Sequence, residues 1–346
     1  MMRFVLCFLL VLSLSIGASA VEIEAPAAPD SAQALMPEDT GVFSDALQVI
    51  LKKAVDQIVP SYSDAVKALC ALVAIVMILS LSKAAFSNEN TVTDLVGCGI
   101  IAYTNLSSAN TMINLAAETV HEICDYGMLL MPVMTTALAA QGGVSSSASL
   151  YAGTALFNYI ISWLLSNALI PLIYVFLAIS IANSVTGEDA LKNISVLIKR
   201  VITWTLKTLV TVFTTYMSIT GVVSGTTDIA TLKATKTVIS SAVPIIGGIL
   251  SDSSEAILVG AELAKNTAGI YGILVILSLF LSPFLKIGVH YLGIKAAYGI
   301  CSIFGSKRVV AFIDDFSSAM GMLLAMTGAV CVLFLISTIC FMKGMS

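Results

Sequence analysis

Residues 318–341 read SAMGMLLAMTGAVCVLFLISTICF, a run without a single charged side chain. As a helix rising 1.5 Å per residue it is about 36 Å long, enough to cross the roughly 30 Å hydrocarbon core of a bilayer. Asp314 and Asp315 precede it and Lys343 follows it, so the apolar stretch is sharply bounded. Outward from it, comparable runs lie at 65–85, 95–117, 124–140, 150–167, 169–185, 201–223 and 267–289. The nearly unbroken 150–185 stretch is divided at Asn167 and Pro171, because proline removes a helical hydrogen bond and clashes with the preceding turn. The expectation is an all-α fold, a polytopic integral membrane helical bundle of seven to eight spans.

Composition agrees. The 346 residues are 58% hydrophobic and 11% charged, with a mean hydropathy of +0.98. Soluble globular chains run nearer a quarter charged. The net charge of −4 offers no basic stripe, so no nucleic-acid partner is expected. The seven cysteines (Cys7, Cys70, Cys98, Cys124, Cys301, Cys331 and Cys340) lie in or beside apolar runs and form no C-x-x-C pair. They read as small packing residues rather than a disulfide framework or metal ligands.

The first twenty residues have the tripartite form of a secretory signal. Arg3 is the positive start, Phe4 to Ile16 the apolar run, and Ala18-Ser19-Ala20 the cleavage site. An uncleaved first helix is the alternative. Residues 21–64 then form an acidic exported segment, with eight carboxylates against Lys52 and Lys53. Its Ala/Pro-rich start reads as flexible. Leu47, Ile50, Leu51, Val55 and Ile58 predict a short amphipathic helix from Ser44, ended by Pro60. Residues 65–346 form the multi-span membrane domain. With the exported segment outside, Lys83, the loop of Lys192, Lys199 and Arg200, and the loop of Lys286, Lys295, Lys307 and Arg308 fall on the cytoplasmic side. The acidic turn Glu118–Asp125 and the 224–266 segment, with Lys233, Lys236 and Lys265, fall outside.

Two stretches look alike. Met131-Pro132-Val133-Met134 leads into a Gly/Ser run beginning Gly142-Gly143. Val243-Pro244-Ile245-Ile246-Gly247-Gly248 leads into Ser251-Asp252-Ser253-Ser254. Paired Gly/Pro-interrupted segments point to re-entrant hairpins at a binding or conduction site, with Pro132, Gly142, Gly143, Pro244, Gly247 and Gly248 as candidate pore residues. Two kinked helices with polar loops fit the same pattern. Asn167 and Lys207 are candidate intramembrane polar groups, although Lys207 is also close enough to a span end to snorkel.

Enzyme chemistry finds little support. Glu118, His121, Glu122 and Asp125 share one helix face, yet a di-iron bundle site needs a second such motif and further carboxylates. A solvated acidic turn is the better reading. Gly299–Arg308, GICSIFGSKR, places Ser306 between Gly305 and Lys307 and misses phosphate-loop spacing. No catalytic residue, cofactor or metal ligand is expected. Gly269, Gly272, Gly321, Ala325, Gly328 and Ala329 suit close helix packing or an oligomer, and Met320, Met322 and Met326 read as packing.

The order of signal, acidic exported segment and multi-span body resembles the stage III sporulation protein AE family of endospore-forming bacteria. The likeness is carried by Gly221-Val222-Val223-Ser224, Asp228, Lys236, Pro244-Ile245-Ile246-Gly247, Asp252 and Lys265-Asn266-Thr267-Ala268-Gly269-Ile270. It covers roughly 65–346 and is strongest from 165 onward. Two departures are Ile229, where the pattern has glycine, and a shorter exported segment. The resemblance implies an oligomeric component of a secretion-like complex in the mother-cell membrane around the engulfed forespore. Its implied partners are other stage III sporulation proteins, a forespore membrane protein across the intermembrane space, and membrane lipid. The interrupted helices add the expectation of a permease-like element. A secondary transporter of a small molecule and a structural membrane scaffold are the alternatives.

Overall fold

The computed structural model describes residues 25–37, 40, 43–86, 91–140, 144–186, 189–219 and 267–344, and among them regular structure is entirely helical. The elements are α1 (Asp30–Gln33), α2 (Phe43–Phe86), α3 (Thr91–Ala140), α4 (Val144–Leu164), a π turn (Leu165–Leu169), α5 (Ile170–Thr186), α6 (Asp189–Ile219), α7 (Thr267–Cys301) and α8 (Lys307–Gly344). The signal segment 1–20, Gly142, Gly143, Pro244, Gly247 and Gly248 lie outside the described residues. Among the described residues four stretches are long and apolar enough to cross a membrane: Tyr62–Ala85, Tyr151–Thr186, Ala268–Cys301 and Lys307–Met342.

Four expectations need correction. The runs 95–117 and 124–140 are one continuous 50-residue helix, α3, and Glu118–Asp125 is not a turn. Ile113, Ala116, Val120, Ile123, Leu130 and Met134 are buried in steps of about 3.5 residues across the acidic stretch, so the packed face never breaks. The acids merely lower the average hydropathy of that segment.

The runs 150–167 and 169–185 likewise join into one rod. Asn167 sits inside the π turn, where the Ile170 N–H reaches back to the Leu165 carbonyl. One extra residue in that turn accommodates Pro171 without a break. Pro60 does not end its helix, since α2 runs from Phe43 to Phe86. The Ala/Pro-rich stretch expected to be flexible is docked from residue 25 on: Ala28, Ala32 and Leu35 are buried, and the Ala28 N–H donates to the Tyr271 hydroxyl at 3.3 Å.

Cross-contacts give the direction of each rod. Ser282 donates to Gln57 and Gly293 lies against Ala65, so α2 and α7 run parallel. Asn158 meets Cys124 and Tyr174 meets Asn110, so α4–α5 runs back along α3. Lys199 meets Ser318, and Phe213 shares a small pocket with Leu333, which sets α6 parallel to α8. Asp94 meets Ser306 and Gly127 abuts Phe334, which sets α3 parallel to α8. The rods therefore alternate in direction along the chain. At one end meet Lys83, Asp94, Lys192, Lys295 and Lys307; at the other stand residue 140, residue 144, and the facing ends of α6 and α7.

Merging two pairs of expected spans leaves the basic groups together on one side, because the two changes cancel. Only the facing ends of α3 and α4, at Ala140 and Val144, change sides. Single cysteines at Ala140 and Ile303 in an otherwise cysteine-free chain test this with a membrane-impermeant maleimide. Labelling from opposite faces is expected; labelling from the same face would restore the two-span reading of 95–140.

α8 is the centre. Its most apolar window is 94% buried inside the protein, against 17% for that of α2. The helix packs against α3, α4, α5, α6 and α7. Small residues let neighbours approach: Gly127 takes the Phe334 ring, Gly269 the Met342 side chain, Gly272 the Leu130 side chain. Met320, Met322 and Met326 are buried in this contact, as packing residues. A Cβ at Gly127 would enter the Phe334 ring, whereas Gly99 has open space around it. Gly127→Ala is expected to destabilise by about 1–3 kcal/mol through overpacking. Gly99→Ala is expected to be neutral or stabilising by up to about 1 kcal/mol through helix propensity. Thermal unfolding in detergent measures the contrast.

Candidate functional site

The sequence pointed to interrupted helices, and of these candidates Pro132, Asn167 and Lys207 can be placed. Pro132 lies within α3, which continues to Ala140. It is exposed on the rod's outer side. Thr135 and Thr136 hydroxyls just beyond it donate to the Met131 and Val133 carbonyls, at 2.7 and 2.8 Å. The helix thus passes through Pro132 without a break. Asn167 is exposed and its side-chain amide donates to the Trp163 carbonyl at 3.0 Å, within its own helix. Lys207 is exposed on α6, two turns beyond Lys199, facing away from the core. The structure brings none of these three together.

The acidic stretch of α3 has a different meaning from the one its composition suggested. Among the described residues no three His, Cys, Asp or Glu side chains converge as metal ligands. Glu122 accepts from the Ser31 hydroxyl at 2.9 Å, tying α1 to α3. His121 Nε2 pairs with the Ser166 hydroxyl at 3.0 Å, tying α3 to the π turn. Ser107, Thr111, Asn114, Glu118, His121 and Asp125 are all exposed, four and three residues apart by turns. They form a polar stripe on the outer face of α3, flanked by Tyr174, whose hydroxyl donates to Asn110 at 2.8 Å. At 1.5 Å per residue α3 is about 75 Å long, more than twice the hydrocarbon thickness. A rod of that length must project into water.

Among the described residues a polar site stands out that was not singled out in the sequence. It is a cleft of about 430 Å³ between α5, α6 and α8, at the basic end of the bundle. α5 contributes Phe176, Ser180, Asn183 and Ser184; α6 contributes Lys192, Ser195, Val196 and Lys199; α8 contributes Lys307, Arg308, Ala311, Phe312, Asp314 and Asp315. Lys192, Ser195 and Lys199 fall at i, i+3 and i+7, one face of α6, while Ile198 and Ile202 hold the adjoining face in the core. Lys199 donates to the Ser318 hydroxyl at 2.8 Å. Asp314 is engaged from outside the cleft by Lys295, at 2.6 Å. The expected basic loops are in fact helix ends: Lys192 and Lys199 lie in α6, Lys295 in α7, and only residues 302–306 separate α7 from α8. The signal for the site was the same-face spacing of Lys192, Ser195 and Lys199, which a reading of these residues as a loop hides.

Comparison with known proteins now settles the lineage. Residues 32–344 match the family model described as stage III sporulation protein AE. The chain belongs to the stage III sporulation protein AE family. One relative of that family, "Stage III sporulation protein AE" of Bacillus subtilis (strain 168), is 24% identical over 232 residues. That alignment covers 67% of this chain and 58% of the relative's length. The search of solved structures returns no match. The sporulation family and the four long apolar stretches together identify a helical membrane protein of a sporulation lineage.

One ion pair closes the basic end. Asp94 accepts from Lys83 at 2.7 Å and from the Ser306 hydroxyl at 2.6 Å, joining α2, α3 and the α7–α8 turn. Its side chain is only 16% exposed. Asp94→Ala leaves a half-buried ammonium without its carboxylate and is expected to cost about 1–3 kcal/mol. The check is the thermal midpoint, which should fall while Lys67→Ala, removing an exposed pair with Asp64, leaves it unchanged.

Proposed function

We propose that this protein is a non-enzymatic membrane subunit of the secretion-like complex that joins the mother cell to the forespore, and that it serves there as the permease-like element. The family supplies the sporulation context. The observation that carries the finer reading is the polar stripe on α3, from Ser107 to Asp125. An outward polar face on a rod of an otherwise apolar bundle is stable only against water or another polar surface. Both are what a subunit of a trans-envelope assembly offers. The stripe lies toward the end where α1 docks, which the cleaved-signal reading places outside the cytoplasm. Other stage III sporulation proteins are then the partners that cover it.

The test combines location and function. A fluorescent fusion expressed from the native promoter should outline the mother-cell membrane around the forespore. The same fusion carrying Glu118→Leu, His121→Leu and Asp125→Leu should reach that membrane at equal abundance yet lower the yield of mature spores at least tenfold. Uniform signal in growing cells would contradict the complex-subunit reading. Normal spore yield from the triple variant would contradict the role of the stripe.

A further inference from the structure

We propose that the cleft between α5, α6 and α8 is a binding site for a phosphate oxyanion. Three observations converge on it. The first is charge: Lys192, Lys199, Lys307 and Arg308 line the cleft against two carboxylates, and one of these, Asp314, is already bound by Lys295. Among the described side chains the cleft therefore holds an excess of cations over anions. The second is unused hydrogen-bonding capacity. The Ser195 hydroxyl, in a residue 3% exposed, and Arg308 Nη1 are both buried without a hydrogen-bond partner. Both belong to residues lining the cleft. Buried polar atoms left unpaired are costly, and a donor pair of this kind signals an acceptor yet to arrive. The third is space. About 430 Å³ is ample for a phosphate with its ester substituent.

The chemistry selects a phosphate over a carboxylate or halide. Guanidinium presents a planar fork of donors suited to two oxygens of one anion, while ammonium groups act as point charges around it. A hydroxyl donor and three lysines around one arginine offer more donors than a carboxylate accepts. Position adds the context: the cleft stands at the basic end of the apolar stretches, where headgroups of anionic lipids lie. The oxyanion is thus available from two sources, the phosphodiester of an anionic phospholipid or a soluble phosphate.

The purified full-length protein in a neutral detergent separates these. Thermal unfolding is followed with added phosphatidylglycerol, with phosphatidylcholine as the zwitterionic control, and with inorganic phosphate. A rise of several degrees with phosphatidylglycerol alone assigns the site to a lipid headgroup. A rise with inorganic phosphate as well assigns it to a phosphate from either source. In both cases Arg308→Gln should weaken the apparent affinity at least tenfold. Lys192→Gln, at an exposed position that leaves packing intact, should weaken it severalfold and keeps the test valid should Arg308→Gln fold poorly. Equal stabilisation by phosphatidylcholine, or affinities unchanged in both variants, would overturn the proposal.

Discussion

The structure depends on one constraint: α8, a helix long and apolar enough to cross a membrane, is buried in protein, not in lipid. α8 carries the charge-free run 318–341, and 94% of its most apolar window is enclosed. In a membrane the hydrophobic effect does not distinguish a neighbouring helix from a lipid tail, so close packing must hold α8 in place. The contacts show how. Gly127 admits Phe334, Gly269 admits Met342, and Gly321 lies against Tyr291. Ala325 and Ala329 are buried in the same helix. Each small residue lets a large one seat between rods, and the dispersion energy of many such contacts replaces a solvent-driven force.

Around that centre the other features follow in order. Rods of alternating direction bring basic residues from separate parts of the chain to one end. There Lys83, Asp94 and Ser306 lock three elements together, and Lys295 and Asp314 bind α7 to α8. Residues 25–37 are seated by single hydrogen bonds rather than ion pairs, from the Ala28 N–H to Tyr271, from the Tyr126 hydroxyl to the Pro26 carbonyl, from the Ser31 hydroxyl to Glu122 and from Lys53 to the Met36 carbonyl. The molecule is thus chemically polarised. Its charged end holds the cleft, and the polar stripe of α3 begins midway along the bundle and runs toward the other.

Much of this was legible in the residues, for identifiable reasons. Helical class, membrane character and the grouping of Lys192, Lys199, Lys295 and Lys307 follow from composition and from the spacing of charges. The family was legible from segments such as Lys265–Ile270. The length of the rods was not. Hydropathy is an average over a window, and α3 carries polar groups on its outer face and apolar ones on its inner face, so the average dips where the helix is continuous. Pro60, Pro132 and Pro171 misled in a related way. Each costs a hydrogen bond, but a helix packed along its length, or relaxed by a π turn as at Leu165–Leu169, continues past that loss. The cleft was hidden because it joins two consecutive helices, α5 and α6, to α8, which lies far along the chain.

The central claim is that α8 is shielded from lipid by its own protein, and photolabelling from the bilayer interior tests it most directly. A lipid bearing a photoactivatable group in its acyl chain would be incorporated with the purified protein, and the labelled residues mapped by mass spectrometry. The account predicts label on outward apolar side chains such as Leu81, Tyr159 and Trp204, and none on residues 319–335 of α8. Label on α8 at a level comparable to those positions would contradict it.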